Sequence, residues 1–481
     1  MAENDHDAEE ADGFTIGRRR FVGGVGTLAA LAAAGVGTAG AQDDGEPDLT
    51  PVGRLLEDLP DNWGRWGEDD ELGAVNELDS EAMFRGMQAV RRGGAENIER
   101  FTLQTPMTGE AIDALVDPEV NFPTTDTGDP AFPGRFPARK NNTADWDDAA
   151  TNAGMRFADD RFATPLYLQG TSHMDALGHG WFADRDVAED GDADLPEGVD
   201  TEGDINAYDE QVYNGFLASE VTTATEGYDI GVAGLSPDNQ AQSVSEVSLL
   251  SKADISNAAS AGVQGRGVLL DVGRYKDNSD EQGRLPLGDP VTLQDLQDTA
   301  DTQGVEVEEN DILLIRTGAI ELARDPDAEW NALNEPGLTY SDRLVDWLIE
   351  KDIPYVAGDN LPVEKVTQDV SPDDLKEGRK ELAGTYILPL HGQLLRNLGV
   401  TINEVLDLSE LAAACAEDGI YDFLFTAAPL HVVGGTGAPV NPVVTKATRP
   451  GNASGGDGDG GRDGDEGRGP PDGRGARGNG R

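Results

Sequence analysis

The chain has 481 residues, with 92 Asp and Glu against 36 Lys and Arg, a net charge of −56 and five histidines. At about 150 residues per domain this length allows roughly three domains, or one large domain with extensions; a hydrophobic content of 37% fills a core and excludes disorder throughout. The acidity excludes nucleic acid and anionic membrane as partners, because phosphate-rich surfaces are repelled, and a single cysteine excludes a disulfide framework and a cysteine-based zinc site.

The first predicted element is an export signal within residues 1–41. Arg18, Arg19 and Arg20 precede Phe21, a Gly/Ala/Val/Leu run follows, and Ala39-Gly40-Ala41 ends it. A charged start, a mild apolar run and a small-x-small end are the pattern of a cleavable signal. The arginine pair before Phe21 resembles a twin-arginine signal. The expectation is export through the twin-arginine machinery to an extracellular location, with cleavage near Ala41 and no stable membrane span afterwards. An uncleaved signal would leave the chain tethered.

A folded domain is expected over residues 52–448, carrying a solvated acidic insertion at about 184–210. Apolar runs at Gly267–Val272, Asp311–Arg316 and Pro354–Gly358 read as buried strands. Between them lie helices, one opening at Thr292 with a Thr cap and one at Ser341 with i, i+3, i+4 apolar spacing. A third helix is expected from about Thr401 to Cys415, with Cys415 buried in it. Strands alternating with helices predict an α/β domain. Residues 451–481 are Gly, Asp, Arg and Asn with almost no apolar residue. They cannot bury enough surface to offset ordering entropy, so a disordered tail is expected.

Lysine is scarce, arginine several-fold commoner, and acidic residues are spread over the whole chain. Self-repulsion of this size destabilises a compact state, and molar salt screens it by shrinking the Debye length to about 3 Å. The composition therefore predicts a salt-adapted protein.

His173, His179, His391 and His431 are the histidines of the expected domain. His173 and Asp175 alternate with Met174, so in extended backbone both side chains leave on one side. Imidazole and carboxylate together suit Zn²⁺, Mn²⁺ or Fe²⁺. On spacing alone, His173, Asp175 and His179 read equally as ligands or as hydrogen-bonded loop residues. His391 alone reads as a satisfied core histidine, and Glu404 alone as a carboxylate in the first turn of a helix.

Several segments in order carry a resemblance. Asn62–Asn76 (NWGRWGEDDELGAVN) resembles the opening signature of the longer members of the metal-dependent cyclase family, which includes bacterial kynurenine formamidases. Gln169–His179 is similar to that family's central H-x-G-T-H-x-D-x-P-x-H motif. Tyr213–Phe216, Gly267–Tyr275, Ile312–Gly318 and Val433–Pro442 follow as further similar segments. The resemblance implies a swivelling β/α/β fold with a mixed, barrel-like sheet, assembled as a homo-oligomer. It implies His173, Asp175, His391 and Glu404 as ligands of one or two divalent metals, Zn or Mn, with His179 as general acid and base. Gln169 replaces a ligand histidine and Leu177 replaces the motif proline. A Gln carbonyl is a weak, hard donor, which points toward Mn²⁺ and one metal. His431, before the Gly-rich turn, is either a pocket residue or a surface one.

The activity implied is hydrolysis of a small-molecule amide of the arylformamidase type, N-formylkynurenine being the model substrate. Opening of a cyclic amide or lactone, cyclisation with dehydration, or a non-catalytic exported metal-binding module are the alternatives.

Overall fold

The computed structural model describes residues 49–107, 140–142, 160–162, 167–182, 210–228, 244–325 and 327–449. The expected signal, the acidic insertion up to residue 209 and the tail lie outside the described residues. Among the described residues, no helix is long and apolar enough to cross a membrane.

Nine strands form one mixed sheet: β1 (Ile98–Thr102), β2 (His173–Asp175), β3 (Val263–Asp271), β4 (Ile312–Arg316), β5 (Tyr355–Gly358), β6 (Thr401–Glu404), β7 (Asp422–Ala427), β8 (Gly437–Pro439) and β9 (Val443–Ala447). Their order is β1-β9-β7-β3-β4-β5-β6-β2-β8. The middle four, β3 to β6, are parallel. Antiparallel strands flank them on both sides, β7, β9 and β1 on one and β2 and β8 on the other. The sheet curls into half a barrel.

The parallel strands are apolar runs because both their faces are covered. Every residue of Ile312–Arg316 and of Tyr355–Gly358 is buried. Alternate residues serve opposite layers. Val268, Leu270, Leu313, Ile315, Val356 and Ile402 join one hydrophobic cluster, whereas Leu269, Ile312, Leu314, Tyr355 and Ala357 join another. Each such side chain fully withdrawn from water contributes about 1.5–3 kcal/mol.

The four longest helices among the described residues pack on these layers. α1 (Ser80–Arg91) is capped by Asp79, which accepts from the N–H groups of Glu81 and Ala82. α2 (Leu293–Gln303) opens with a reciprocal capping box between Thr292 and Asp295 and stops at left-handed Gly304. α3 (Asp342–Glu350) is capped by Ser341, which accepts from the Leu344 N–H. α4 (Ser409–Asp418) buries Cys415, and burial raises its thiol pKa well above the usual range.

The single helix expected from Thr401 to Cys415 is two elements. Thr401–Glu404 is a buried strand pairing in parallel with β5, Ile402 opposite Val356. Val405 then takes a positive φ of 58°, a conformation a β-branched residue adopts only under constraint. The helix begins at Ser409, whose N–H and hydroxyl both donate to the Asp407 carboxylate. The apolar spacing of 401–415 cannot distinguish a four-residue strand plus a helix from one helix. Glu404 therefore ends a strand and is buried, not placed in the first turn of a helix.

Candidate metal centre

The site is built where β6 meets the antiparallel pair β2 and β8. Glu404 pairs in register with His173, and Pro439 pairs with His173 from the other side. Period-two alternation sends His173 and Asp175 to one face, while Met174 is fully buried in the hydrophobic layer behind. All three ligand-type residues, His173, Asp175 and Glu404, are at most 5% exposed.

The neighbours of His173 fix its ring. Nδ1 lies 2.7 Å from the Thr171 carbonyl and must donate there, because a carbonyl can only accept. Nε2 is thereby left as the lone-pair nitrogen aimed inward. The strand itself is held by the Asn403 amide, which donates to the His173 carbonyl at 2.7 Å and accepts from the Tyr355 hydroxyl at 2.7 Å. Ser172 Oγ adds a 2.5 Å bond to the Val405 carbonyl.

One ligand atom from each of His173, Asp175 and Glu404 lies within 4.8 Å of the others. His173 Nε2, Asp175 Oδ2 and Glu404 Oε1 are buried without a hydrogen-bond partner. Glu404 Oε2 is 3.1 Å from His173 Nε2, close but without the alignment of a hydrogen bond. Unsatisfied buried carboxylates and an imidazole lone pair converging on one point are costly unless a cation joins them. The donor set, one nitrogen and two carboxylates, fits a divalent metal of the Zn²⁺ or Mn²⁺ type.

His391 faces the same point. Its Nε2 is 3.2 Å from Glu404 Oε1 and 4.0 Å from Asp175 Oδ2. Leu388, at φ 49°, and Pro389 at the start of a short turn deliver it. A fully buried π-helix, Gly392–Leu398, follows directly, the kind of irregular turn that accompanies functional sites. The Asn62–Asn76 segment straps this turn: Asn62 N–H donates to the Asn397 carbonyl at 2.8 Å and Trp63 Nε1 to the Arg396 carbonyl at 2.8 Å. Two imidazoles beside one carboxylate set the electrostatics. Burial alone would raise the Glu404 pKa, but His173 and His391 outweigh it and hold it at about 2. Burial opposes charge on His173 and His391, yet the neighbouring carboxylates raise both.

His179 and Gln169 sit at the mouth. The His179 side chain is 24% exposed and its Nε2 is 4.0 Å from Asp175 Oδ1. Gln169 is buried, and its Nε2 donates to Asp175 Oδ1 at 2.6 Å. A carboxylate only accepts, so the amide nitrogen must be the atom facing it. The same nitrogen lies 3.1 and 3.3 Å from the two ring nitrogens of His179. Gly437 leaves the room for this: a Cβ there would stand 2.9 Å from Gln169 Cγ. Gln169 thus presents an N–H to Asp175, whereas the sequence suggested a weak carbonyl ligand. Leu177 is buried beyond the strand. His431 is exposed in the loop before β8.

One residue of the site has no counterpart in the sequence reading. Glu364 is 1% exposed and lies 2.7 Å from His391 Nδ1. The signal available was positional: Asp359–Glu364 is the polar, proline-containing turn at the carboxyl end of a parallel strand, where α/β sheets place their ligand-binding loops.

A model of the "Putative cyclase" family matches residues 119–365. A solved structure described as a novel cyclase has a TM-score of 0.54 at 28% identity, over 82% of this chain and 99% of its own. Isatin hydrolase A from Labrenzia aggregata is similar at 15% identity and TM-score 0.37, over 75% and 99% of the two chains. A predicted metal-dependent hydrolase from Bacillus stearothermophilus gives 13% and 0.31, over 72% and 98%. No curated protein matches the chain. The family match takes in Gln169, His173, Asp175 and His179 and stops before His391 and Glu404, and since it spans just over half of the 481 residues, the chain belongs to the cyclase family.

Proposed function

We propose that this chain is a metal-dependent hydrolase that cleaves an amide C–N bond, with an N-formyl arylamine of the N-formylkynurenine type as its substrate class. The observation that carries the reading is the convergence of three partnerless buried atoms, His173 Nε2, Asp175 Oδ2 and Glu404 Oε1, beside a partly exposed imidazole. His173, Asp175, Glu404 and His391 would hold the ion. A divalent ion supplies Lewis acidity: it polarises a carbonyl and lowers the pKa of water toward about 7.

The chain's own residues handle orientation and protons. His173 is locked by Thr171, so its ring cannot turn to exchange protons, and it acts only as a donor of its lone pair. His179 differs, being partly exposed and in reach of both substrate and solvent. It takes a proton from the attacking water and returns one to the leaving nitrogen. Water thereby adds to the carbonyl carbon, the C–N bond breaks, and the products are formate and a free arylamine. The Asp175 carboxylate, 4.0 Å from His179 Nε2, favours the imidazolium that forms between these transfers.

The test is formate release from formylated arylamines by the metal-loaded protein, run beside a cyclic amide and a lactone. Release of formate together with the amine supports the reading. Turnover confined to the cyclic substrates replaces it with ring-opening hydrolysis. Tight metal binding without any turnover makes the chain a metal-binding module.

A further inference from the structure

We infer that Glu364 is a positioning residue of this centre, the outer carboxylate that sets the tautomer and aim of His391 and thereby raises the site's metal affinity; the inference rests on the metal-site reading above. Glu364 Oε1 accepts from His391 Nδ1 at 2.7 Å and from the His391 backbone N–H at 2.6 Å. Its other oxygen accepts from the Leu390 N–H at 2.8 Å and from Gln368 Nε2 at 2.5 Å. Four donors on one buried carboxylate leave no lone pair for the metal itself. They also place the proton: the ring nitrogen facing Glu364 carries hydrogen, so Nε2, 3.2 Å from Glu404 Oε1, offers its lone pair to the cation.

The backbone around Glu364 is shaped to deliver it. The Glu364 N–H bonds back to the Pro362 carbonyl across Val363, whose φ is 57°. Positive φ at a β-branched residue persists only where surroundings over-determine it, and such strain gathers at ligand clamps. The surroundings are present. Leu338 N–H donates to the Val363 carbonyl at 3.1 Å, and Lys365 N–H returns to the Leu338 carbonyl at 2.9 Å. Glu335 accepts from the Leu361 N–H at 2.7 Å. Gly337 is crossed so closely that a Cβ there would stand 2.6 Å from the Glu364 carbonyl carbon.

The same turn reaches a second ligand. The Asn360 carbonyl accepts from the Val405 N–H at 3.1 Å, the residue after Glu404. Residues 359–364 therefore bracket His391 through a side chain and Glu404 through the backbone. A bare hydrogen-bonding role in the fold would need none of the alignment with Nδ1.

The experiment is a competition titration of Zn²⁺ or Mn²⁺ against a chromophoric chelator, using the full chain and its Glu364→Gln and Glu364→Asp variants. Thermal melts of the metal-free proteins are recorded in parallel. The expected result is a Kd raised about 10- to 100-fold in Glu364→Gln, with unchanged stoichiometry at saturation. Glu364→Asp keeps the charge but withdraws it by one methylene and should fall between; it serves alone if Glu364→Gln does not fold. The metal-free Glu364→Gln protein should melt below the parent, because one amide oxygen cannot accept all four donors, while Glu364→Asp keeps both acceptor oxygens; the loss of affinity is therefore read on folded protein only. A Kd within twofold of the parent in a folded variant overturns the inference while leaving the metal site standing. Failure of the parent chain to bind either ion overturns the metal-site reading, and this inference with it.

Discussion

The carboxyl ends of the parallel strands split into two halves with opposite treatments of buried charge. At the end of β3 and β4, Asp271 and Arg316 face each other in register and bond at 2.6 Å. Arg316 also donates to Glu321 Oε1 at 2.6 Å and to the Gly283 carbonyl at 3.0 Å. At the end of β6, with β2 beside it, Glu404 and Asp175 meet imidazoles and the Gln169 amide instead of a guanidinium. The first half is electrically closed, because its cation is part of the chain. The second has no guanidinium and gathers three partnerless ligand atoms around one point, against the single Glu321 Oε2 of the first, so its cation must come from outside. The difference teaches that burial of acid does not mark a site; burial of acid without an internal cation does.

The comparison breaks most sharply if the ligands of the second half are dispensable. Replacing His173, Asp175 or His391 by Ala should lower metal affinity by at least about 100-fold, beyond the usual loss for an outer-sphere partner, and abolish hydrolysis. Elemental analysis after gel filtration checks it, and full occupancy in all three variants would refute the assignment. His179→Ala separates binding from turnover. Metal content should stay at the parent level while the rate falls about 10²–10⁴-fold, the scale of general acid–base catalysis. Loss of metal there would make His179 a ligand.

The first half should respond in stability alone. Arg316→Met leaves Glu321 without its cation and Asp271 with only the half-exposed Arg274, and should cost about 3–5 kcal/mol in denaturant unfolding. Metal bound per folded chain should not change. A pH effect follows from Asp359, which lies between the halves. Its carboxylate accepts from Thr317 N–H and Oγ1 and from Gly318 N–H. Burial and then Glu321 raise its pKa from 3.8 to about 7, although Arg316 works against them. With a folded pKa above the unfolded one, the unfolded chain releases this proton first as pH rises. Stability therefore declines between pH 4 and 7, by no more than about 4 kcal/mol. Asp359→Asn stays neutral at every pH and should remove that part of the slope in melts taken from pH 5 to 8.

How far the two halves were legible in the sequence follows from their residues. The strands ending at Asp271, Arg316 and Gly358 show as apolar runs because both faces are covered. The cap at Thr292 shows because cap chemistry is local, and the helix after Ser341 shows by its apolar spacing. His173 and Asp175 are visible as an alternating pair, and their side chains do leave one strand on one side. His391 and Glu404 stand out through the family resemblance alone; their own surroundings in the chain show nothing, because Glu404 reaches His173 only by the pairing of β6 with β2, a contact across some 230 positions that no local pattern encodes. Glu404 hid for a further reason: Thr401–Glu404 is too short for a strand period to outweigh the helical spacing that follows it. Glu364 had only its place after β5 to mark it, because a glutamate after Pro362 and Val363 otherwise reads as any surface turn, and its burial depends on Gly337 and on the turn that carries His391.

Gln169 gives the smallest and most specific test. It belongs to the half that lacks an internal cation, yet its amide lends Asp175 Oδ1 a neutral N–H at 2.6 Å. A hydrogen-bond donor and a metal ion compete for that oxygen, so the amide occupies the side of Asp175 from which a second ion would be reached. The other oxygen, Oδ2, remains partnerless and faces His391. The expected stoichiometry is therefore one tightly held metal per chain. Gln169→His replaces the donor by an imidazole whose lone pair can bind a metal beside Asp175 Oδ1 and His179. Zinc affinity should rise about tenfold, near 1.4 kcal/mol, and stoichiometry should move toward two, with Zn²⁺ gaining over Mn²⁺ as a nitrogen donor joins the site. Titration followed by elemental analysis reads both quantities. Two tightly bound ions in the unmodified chain would show that the amide yields its place readily, and the two halves would then differ in the number of cations they take up rather than in whether one is needed.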